Sequence, residues 1–211
     1  STVQEHMSRL EEIFQRLKQA NLTLKPSKCQ FFQKEVEFLG HLVNENGIST
    51  DPKKIKAIAN WEVPRRVKDV RAFLGLTGYY RRFIKDYAEI AKPLHQLTEK
   101  NSQFEWTKEI YDVFETLKTA LTQAPVLGYP SQREEDQFIL DTDASNCHIG
   151  GVLSQMQHGQ ERVIAYGSKV LSQSERNYCV TRRELLAVVH FCVQFKHYLI
   201  GRRFTLRTDH G

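Results

Sequence analysis

The sequence predicts a mixed chain that combines α+β and α/β segments. Apolar residues first follow helical spacing, then alternate as in strands, and return to helical spacing from about residue 51. After residue 131, three strand patterns, a long helical pattern and a further strand follow one another. This order is typical of an α/β sheet. The 211 residues therefore divide into an N-terminal α+β part, a helical part and a C-terminal sheet.

Composition excludes several classes of protein. Hydrophobic residues make up 40% of the chain and charged residues 26%, which is enough apolar material for a buried core. No apolar run approaches the roughly 20 residues that span a bilayer, and the polar N-terminus is unlike a signal peptide. The four cysteines lack Cys-x-x-Cys spacing, which argues against a zinc or disulfide framework. We therefore expect reduced thiols and an intracellular protein.

The positive charge is concentrated in one stretch. Residues 51–100 contain 12 Lys and Arg but 6 Asp and Glu, whereas the rest of the chain contains 18 and 19. The net charge of +5 therefore comes from this stretch alone. A local surplus of this kind suits an anionic partner.

Residues 1–50 are predicted to form a helix followed by strands. Thr2 and Glu5 fit a capping box at the start of the helix, which should end near Asn21. Strands are expected over 29–33 and 36–43, with a turn at 44–47.

Residues 51–130 are predicted to form a small helical bundle and a tether. Asp51 suits the N-cap of a helix that has Pro52 at its first position, and Pro64 breaks that helix. Further helices are expected from about Val67, over 84–97 and over 106–121. The polar segment 125–136 marks a domain boundary.

Residues 131–211 are predicted to form a sheet with one long helix. Strands are expected over 138–143, 149–155, 162–168 and 203–208, and the helix over 174–198. If the first and fourth strands are neighbours and the helix packs across them, the side chains of Asp143, Glu184 and Asp209 converge.

Three converging carboxylates would form a candidate metal site. The three carboxylates repel one another, and a bound divalent cation that prefers oxygen ligands usually offsets this repulsion. Two such ions about 4 Å apart can drive hydrolysis of a phosphodiester. Taken singly, an Asp after a strand is an ordinary turn residue and a helical Glu is usually solvated. The order strand-end Asp, helix Glu, strand-end Asp is more specific, with Asp141 as a flanking candidate on the face of Asp143.

Several motifs in fixed order resemble the Pol polyprotein of gypsy-type long-terminal-repeat retrotransposons. They are Phe-Leu-Gly-His (38–41), Arg-Ala-Phe-Leu-Gly-Leu-Thr-Gly-Tyr-Tyr-Arg-Arg-Phe-Ile (71–84), Ala-Lys-Pro-Leu (91–94), Thr-Asp-Ala-Ser (142–145), Glu-Leu-Leu-Ala-Val-Val (184–189) and Thr-Asp-His (208–210). The likeness runs through essentially the whole chain. It implies the end of a reverse transcriptase palm with its primer-grip hairpin over 1–50, a helical thumb and tether over 51–130, and an incomplete RNase H-like domain over 131–211.

The same resemblance implies a site and its ions. Asp143, Glu184 and Asp209 correspond to catalytic, metal-binding acids of RNase H, which would hold two Mg²⁺ with Mn²⁺ as an alternative; no organic cofactor is implied. A fourth acid is expected after Gly211, together with the elements that would cover the sheet, so the RNase H-like domain would be truncated. The polymerase Tyr-x-Asp-Asp is expected before Ser1. We therefore expect weak or no cleavage by the chain alone. The family usually has Gly at the position of His148, and this difference bears on the backbone geometry of the turn beside Asp143.

The resemblance also implies contacts with nucleic acid at a primer grip and a thumb. The implied contact residues are Phe38, Leu39, Gly40, His41, Lys68, Arg71, Arg81 and Arg82. Lys and Arg neutralise the phosphates of a duplex whatever its sequence. From the residues alone, an amphipathic strand is the better explanation of the segment 38–41, since a lone His is more often structural.

The predicted function is that of a reverse transcriptase fragment with ribonuclease H activity. It would bind RNA–DNA hybrid and double-stranded DNA and hydrolyse the RNA strand, in the cytoplasm or a virus-like particle and without a membrane. The intact polyprotein would add RNA-directed DNA polymerase activity, with fingers and palm upstream and the RNase H remainder and integrase downstream. The alternative is a non-catalytic nucleic-acid-binding connection module, which should have lost some of the acids. A transposase or integrase core is disfavoured, because Glu184 lies between the two aspartates in the sequence.

Overall fold

The computed structural model describes residues 2–100 and 102–209. The described residues form two compact units, one that ends at Lys34 and one that begins at Glu35. None of the described helices is both long and apolar enough to cross a membrane.

The first unit consists of one helix and an irregular segment. Helix α1 spans Val3–Gln19, and the predicted capping box is confirmed, with Glu5 N–H donating to Thr2 Oγ1 (3.2 Å) and Thr2 N–H to Glu5 Oε2 (3.0 Å). The predicted strand over 29–33 is wrong. A 3₁₀ turn occupies Pro26–Lys28, and Phe32 has a φ of 57°, which an extended strand cannot contain.

The second unit begins with an antiparallel sheet of three short strands. They are β1 (Glu35–Phe38), β2 (His41–Asn44) and β3 (Gly47–Thr50), paired in that order. The single strand predicted over 36–43 is wrong, because the chain reverses at Leu39 and Gly40, whose φ angles are 45° and 70°. Positive φ at both turn positions matches the twist of a two-residue hairpin. The turn predicted after β2 is confirmed.

Helices form in the segment 51–130, as predicted. They are α2 (Pro52–Ala59), α3 (Val67–Tyr79), α4 (Tyr87–Ile90), α5 (Lys92–Gln96) and α6 (Lys108–Thr122), with a 3₁₀ turn at Arg81–Phe83. Asp51 caps α2 by accepting from Lys53 N–H at 2.8 Å. The single helix predicted over 84–97 is wrong. Asp86 adopts a left-handed φ of 54°, and Pro93, the second residue of α5, has no N–H with which to continue α4.

A four-stranded mixed sheet forms the C-terminal part. Its strands are β4 (Phe138–Ala144), β5 (His148–Gln157), β6 (Gln160–Val170) and β7 (Phe204–Thr208), in the order β6-β5-β4-β7. Strand β7 pairs with β4 in parallel, and the other neighbours are antiparallel. The strand predictions are confirmed, as is the adjacency of the first and fourth strands.

Helix α8 covers one face of this sheet. The helix predicted over 174–198 is three segments: α7 (Gln173–Arg176), α8 (Val180–Gln194) and α9 (Lys196–Leu199). The single helix was wrong because Cys179 is extended, with ψ of 163°, as the N-cap of α8. Phe191 of α8 lies against Gly151 and Gly167, where an added Cβ would meet the ring at 2.6 and 2.7 Å. The two glycines therefore let the helix approach the strands closely.

Two apolar clusters stabilise the second unit. One joins the helices around Phe73, Phe83 and Phe114, and the other joins the sheet to α8 around Leu140 and Phe191. Val163 and Tyr166 of β6 also pack against the helical cluster. The helical part and the sheet are therefore packed together.

Candidate metal centre

Three carboxylates converge where β4 and β7 end. Asp143 is the sixth residue of β4, Glu184 lies in the first turns of α8, and Asp209 follows β7 directly. One carboxylate oxygen from each lies within 4.8 Å of the others. The parallel pairing of β4 with β7 accounts for this, because parallel strands end at the same edge. His210, which completes the Thr-Asp-His motif, lies outside the described residues.

The burial and charge of this cluster suit a cation. Glu184 is 8% exposed, whereas Asp143 and Asp209 face solvent. Neither aspartate forms an ion pair with any residue of the ranges 2–100 and 102–209. Three negative charges within 4.8 Å repel one another unless a cation or proton intervenes. All three donors are carboxylate oxygens, which fits a hard divalent ion.

The turn that follows Asp143 is closed by its own side chains. Ser145 Oγ accepts hydrogen bonds from the backbone N–H groups of Cys147 (3.2 Å) and His148 (3.1 Å). The same oxygen lies 2.6 Å from His148 Nδ1. His148 is therefore compatible with this turn and contributes to it.

Two charged residues outside the turn hold it from opposite sides. Arg183 Nη1 donates to Ser145 O (3.1 Å) and Asn146 Oδ1 (2.5 Å), and this arginine is only 9% exposed. On the other side, Glu89 Oε2 lies 2.8 Å from His148 Nε2. Sequence reasoning missed both. The position of Arg183 immediately before Glu184 was the available signal; Glu89, 59 positions before His148, offered none.

Asp141 is not part of the cluster. Arg207 binds its carboxylate through Nε (2.6 Å) and Nη2 (2.9 Å) and also reaches Glu161 Oε1 (2.6 Å). Ser154 Oγ donates to the same Glu161 oxygen at 2.7 Å. The hydrogen bond from Arg207 is the main reason that the pKa of Glu161 is lowered, and the two carboxylates raise the pKa of Arg207. This second acidic group already has its cation.

The β1–β2 hairpin presents an apolar tip. Phe38 is 61% exposed and Leu39 is 72% exposed. Two tyrosines at the end of α3 fix the turn, with Tyr79 OH donating to Leu39 O and Tyr80 OH donating to Gly40 O at 2.6 Å. The tip is therefore rigidly joined to α3 while its two apolar side chains face solvent.

His41 has a different environment from the tip. Its ring lies 5.3, 5.6 and 5.6 Å from the rings of Tyr79, Tyr80 and Phe83, and its Nδ1 lies 2.9 Å from Leu39 O. These contacts give it a packing role. A contact between His41 and nucleic acid remains a prediction.

The four predicted basic contacts differ in their surroundings. Lys68 is exposed. The other three residues are arginines, and each donates through Nη2 to a backbone carbonyl. These bonds are Arg71 to Thr98 (3.0 Å), Arg81 to Ser168 (2.5 Å) and Arg82 to Ile164 (3.3 Å). Arg81 and Arg82 thus link the helical part to β6, and their role towards nucleic acid also stays a prediction.

Comparisons with known proteins agree with this architecture. Residues 106–206 match the RNase H-like domain found in reverse transcriptase. The chain is 43% identical over 211 residues to the retrovirus-related Pol polyprotein from transposon 297 of Drosophila melanogaster, covering all of this chain and 19% of that protein. It is 32% identical over 210 residues to the transposon Tf2-3 polyprotein of Schizosaccharomyces pombe, covering 98% and 16%. The chain thus spans about one fifth of the length of these relatives.

Solved structures show the same fold. The chain aligns over 99% of its residues with the foamy viral protease-reverse transcriptase in complex with RNA/DNA hybrid, at a TM-score of 0.80 and 26% identity, covering 28% of that chain. The structure of that foamy viral protein with double-stranded DNA gives a TM-score of 0.78 and 26% identity, covering 98% and 43%. The mixed α+β fold is therefore confirmed.

The fold and the family match assign residues 106–206 to a class, the RNase H-like domain found in reverse transcriptase. The homologues of this chain are Pol polyproteins of long-terminal-repeat retrotransposons, so the resemblance to that family is confirmed. The chain is accordingly a segment related to a family of nucleic-acid enzymes, with an acidic group that could bind a metal.

Proposed function

We propose that this chain binds nucleic-acid duplexes and hydrolyses the RNA strand of RNA–DNA hybrids at Asp143, Glu184 and Asp209. The observation that carries the proposal is the convergence of these carboxylates within 4.8 Å on an RNase H-like domain. A connection module without catalysis would have no need to keep three mutually repelling acids together. The retained cluster therefore favours the enzyme.

The chain's own residues would supply the frame for this reaction. Glu184 forms the buried base of the cluster, and Asp143 and Asp209 face solvent where a phosphodiester can approach. Arg183 and Ser145 hold the turn that carries Asp143. The three acids would hold two Mg²⁺, or Mn²⁺; when bound, these ions would activate water for in-line attack and stabilise the departing 3′ oxygen.

The remaining assignments complete this proposal. Residues 1–50 would be the palm end, 51–130 the thumb and tether, and 131–211 the RNase H-like domain. The exposed tip at Phe38 and Leu39 would contact the primer, and Lys68 a phosphate, in keeping with the foamy viral complexes with RNA/DNA hybrid and dsDNA. The whole polyprotein would add DNA polymerase and integrase and act in the cytoplasm or a virus-like particle.

Metal binding and cleavage can be measured separately on the 211-residue chain. Loss of the free Mn²⁺ spin-resonance signal should report binding, with affinity falling at least about 10-fold in Asp143→Asn and unchanged in Asp141→Asn. Cleavage of a labelled hybrid, which we expect to be weak in this chain alone, should require Mg²⁺ or Mn²⁺, be lost in Asp143→Asn and be kept in Asp141→Asn. The matched control lies two residues away on the same strand.

Two outcomes would contradict the proposal. Cleavage that survives Asp143→Asn would place the chemistry elsewhere. Hybrid binding without Mn²⁺ binding or cleavage would favour the connection module.

A further inference from the structure

A cleft lies between the helical part and the sheet, apart from the three acids. It has a volume of about 770 Å³ and is lined by residues of α4 and α5 on one side and of β6, α7 and α8 on the other. Its lining does not include the three acids. The basic residues in its lining are Arg81, Lys92, His95, Lys169, Arg176 and His190.

Positive charge dominates this cleft. Four of the lining residues are Lys or Arg, and Glu99 is the one carboxylate among the described residues that line it. Glu175, behind the lining, pairs with Lys169 at 2.6 Å. Desolvation, helped by Lys169 and Arg81, lowers the pKa of His190, although Glu175 and Gln194 oppose the shift. The cleft is therefore an environment that disfavours further protons and favours an anion.

The cations of the cleft keep donors available. Within residues 2–100 and 102–209, the Lys92 ammonium has no hydrogen-bond partner. Arg81 and Arg176 each donate to one backbone carbonyl, Ser168 O at 2.5 Å and Leu171 O at 3.0 Å. Those bonds orient the two guanidinium groups, and their other N–H groups are uncommitted to described residues. Oriented guanidinium groups beside an ammonium are suited to phosphate oxygens.

We infer that this cleft holds a phosphate group of the nucleic-acid backbone. Ser168 of its wall pairs with Gly150, and Gly150 pairs with Asp143. Two strand spacings separate these residues, about 10 Å across the sheet. At this distance, a strand bound at the acids has a further phosphate within reach of the cleft, provided that the strand passes outside the Asp86 carboxylate, which lies beside Gly150. The inference rests on the proposed function, since it positions the duplex that the acids would cut.

Duplex binding across a range of salt concentrations tests the cleft. Lys92→Gln combined with Arg176→Gln should weaken binding of labelled double-stranded DNA roughly 3- to 10-fold and reduce the salt slope by about 1, because one phosphate loses its cations. The matched control is Lys108→Gln with Arg203→Gln, which removes an exposed Lys and an exposed Arg outside the cleft. An equal change in both double variants, or no change in either, would overturn the inference.

Inorganic phosphate distinguishes the source of the bound group. In the wild-type chain it should shift the ring resonances of His190 and compete with the duplex, and neither effect should appear in the cleft variant. If phosphate shifts His190 while the cleft variant binds duplex normally, the cleft holds a free phosphate and the backbone assignment fails. Asp143→Asn separates the two proposals: it should abolish cleavage and leave the salt slope unchanged.

Discussion

Asp141 and Asp143 lie two residues apart on β4, yet they belong to two different acidic groups. Asp141 and Glu161 share Arg207, which contacts both carboxylates at 2.6 Å. Asp143 instead meets Glu184 and Asp209 within 4.8 Å, and neither Asp143 nor Asp209 forms an ion pair with a described residue. The first group is bridged by a cation of the protein, and the second is an acidic group that could bind a metal.

The comparison shows that acid density alone does not define a metal site. Both groups gather carboxylates at the same sheet. Arg207 converts one group into a structural cross-link, because its Nε and Nη2 contact three of the four carboxylate oxygens that a metal would need. In the other group, the carboxylates of Asp143 and Asp209 have no such arginine among the described residues, and this group could bind a divalent ion.

Replacing each aspartate by asparagine gives the largest expected contrast. Asp143→Asn should lower the cleavage rate roughly 100-fold or more, since even the loss of a residue that only positions a metal ligand costs about 10- to 100-fold. Asp141→Asn should change the rate little and lower the Tm by no more than about 4 °C, because it weakens an exposed ion pair. Initial cleavage rates and thermal unfolding of the two variants provide the measurement. Equal losses of activity would erase the distinction between the groups.

Arg183 tests whether the turn beside Asp143 must be held. Arg183→Ala removes the bonds to Ser145 O and Asn146 Oδ1. We expect Mn²⁺ affinity to fall roughly 10- to 100-fold, because a positioning contact behind a ligand is lost. Arg183→Lys should restore part of it. A lower Tm with unchanged Mn²⁺ affinity would mean that this arginine serves stability alone.

Arg207→Gln tests the group in which Asp141 and Glu161 share one arginine. Without the guanidinium, Asp141 and Glu161 lose their shared cation, and the Tm at neutral pH should fall by about 2–4 °C. Arg207 lowers the pKa of Glu161 from its ordinary 4.5, so its contribution is present above that value and disappears as the pH falls through the lowered pKa. The difference in Tm between wild type and variant should therefore shrink in acid. A difference independent of pH would contradict an ionic origin.

Glu175 is a further carboxylate whose pKa is lowered by a cation of the protein, and we expect its replacement to have the smallest effect on stability. Lys169 is the main cause that lowers the pKa of Glu175 from 4.5 to about 2. The stabilisation should be complete above pH 4.5 and be lost as the pH falls from 4.5 to about 2. Thermal unfolding of Glu175→Gln and wild type should differ by a few degrees above pH 4.5 and converge near pH 2. Persistence of the difference at pH 2 would contradict this.

The acid cluster could be predicted from the sequence because local patterns determine most of it. Asp143 and Asp209 each end a strand with clear alternation, and Glu184 lies at a fixed place on an apolar helix. Only the adjacency of β4 and β7 had to be assumed. The pairing of Asp141 with Arg207 could not be predicted, because the two residues lie 66 positions apart in the sequence.

Other departures also depend on distant contacts. Leu39 takes a positive φ that a leucine disfavours, and Tyr79, 40 positions later, holds its carbonyl. Helical periodicity over 84–97 continued through Asp86, whose left-handed backbone ended the helix. The bonds of Arg81 and Arg82 to carbonyls of β6 could not be predicted either, because they involve residues 87 and 82 positions away; the contact of these arginines with nucleic acid stays a prediction.

Those two arginines have a further consequence for β6, an edge strand of 11 residues. Its carbonyls at Ser168 and Ile164 accept from Arg81 and Arg82, and Val163 O accepts from Gly128 N–H at 2.7 Å. A long edge with open carbonyls is a template on which another chain can add a strand. These three bonds occupy carbonyl acceptors of β6 through which another chain could otherwise add a strand.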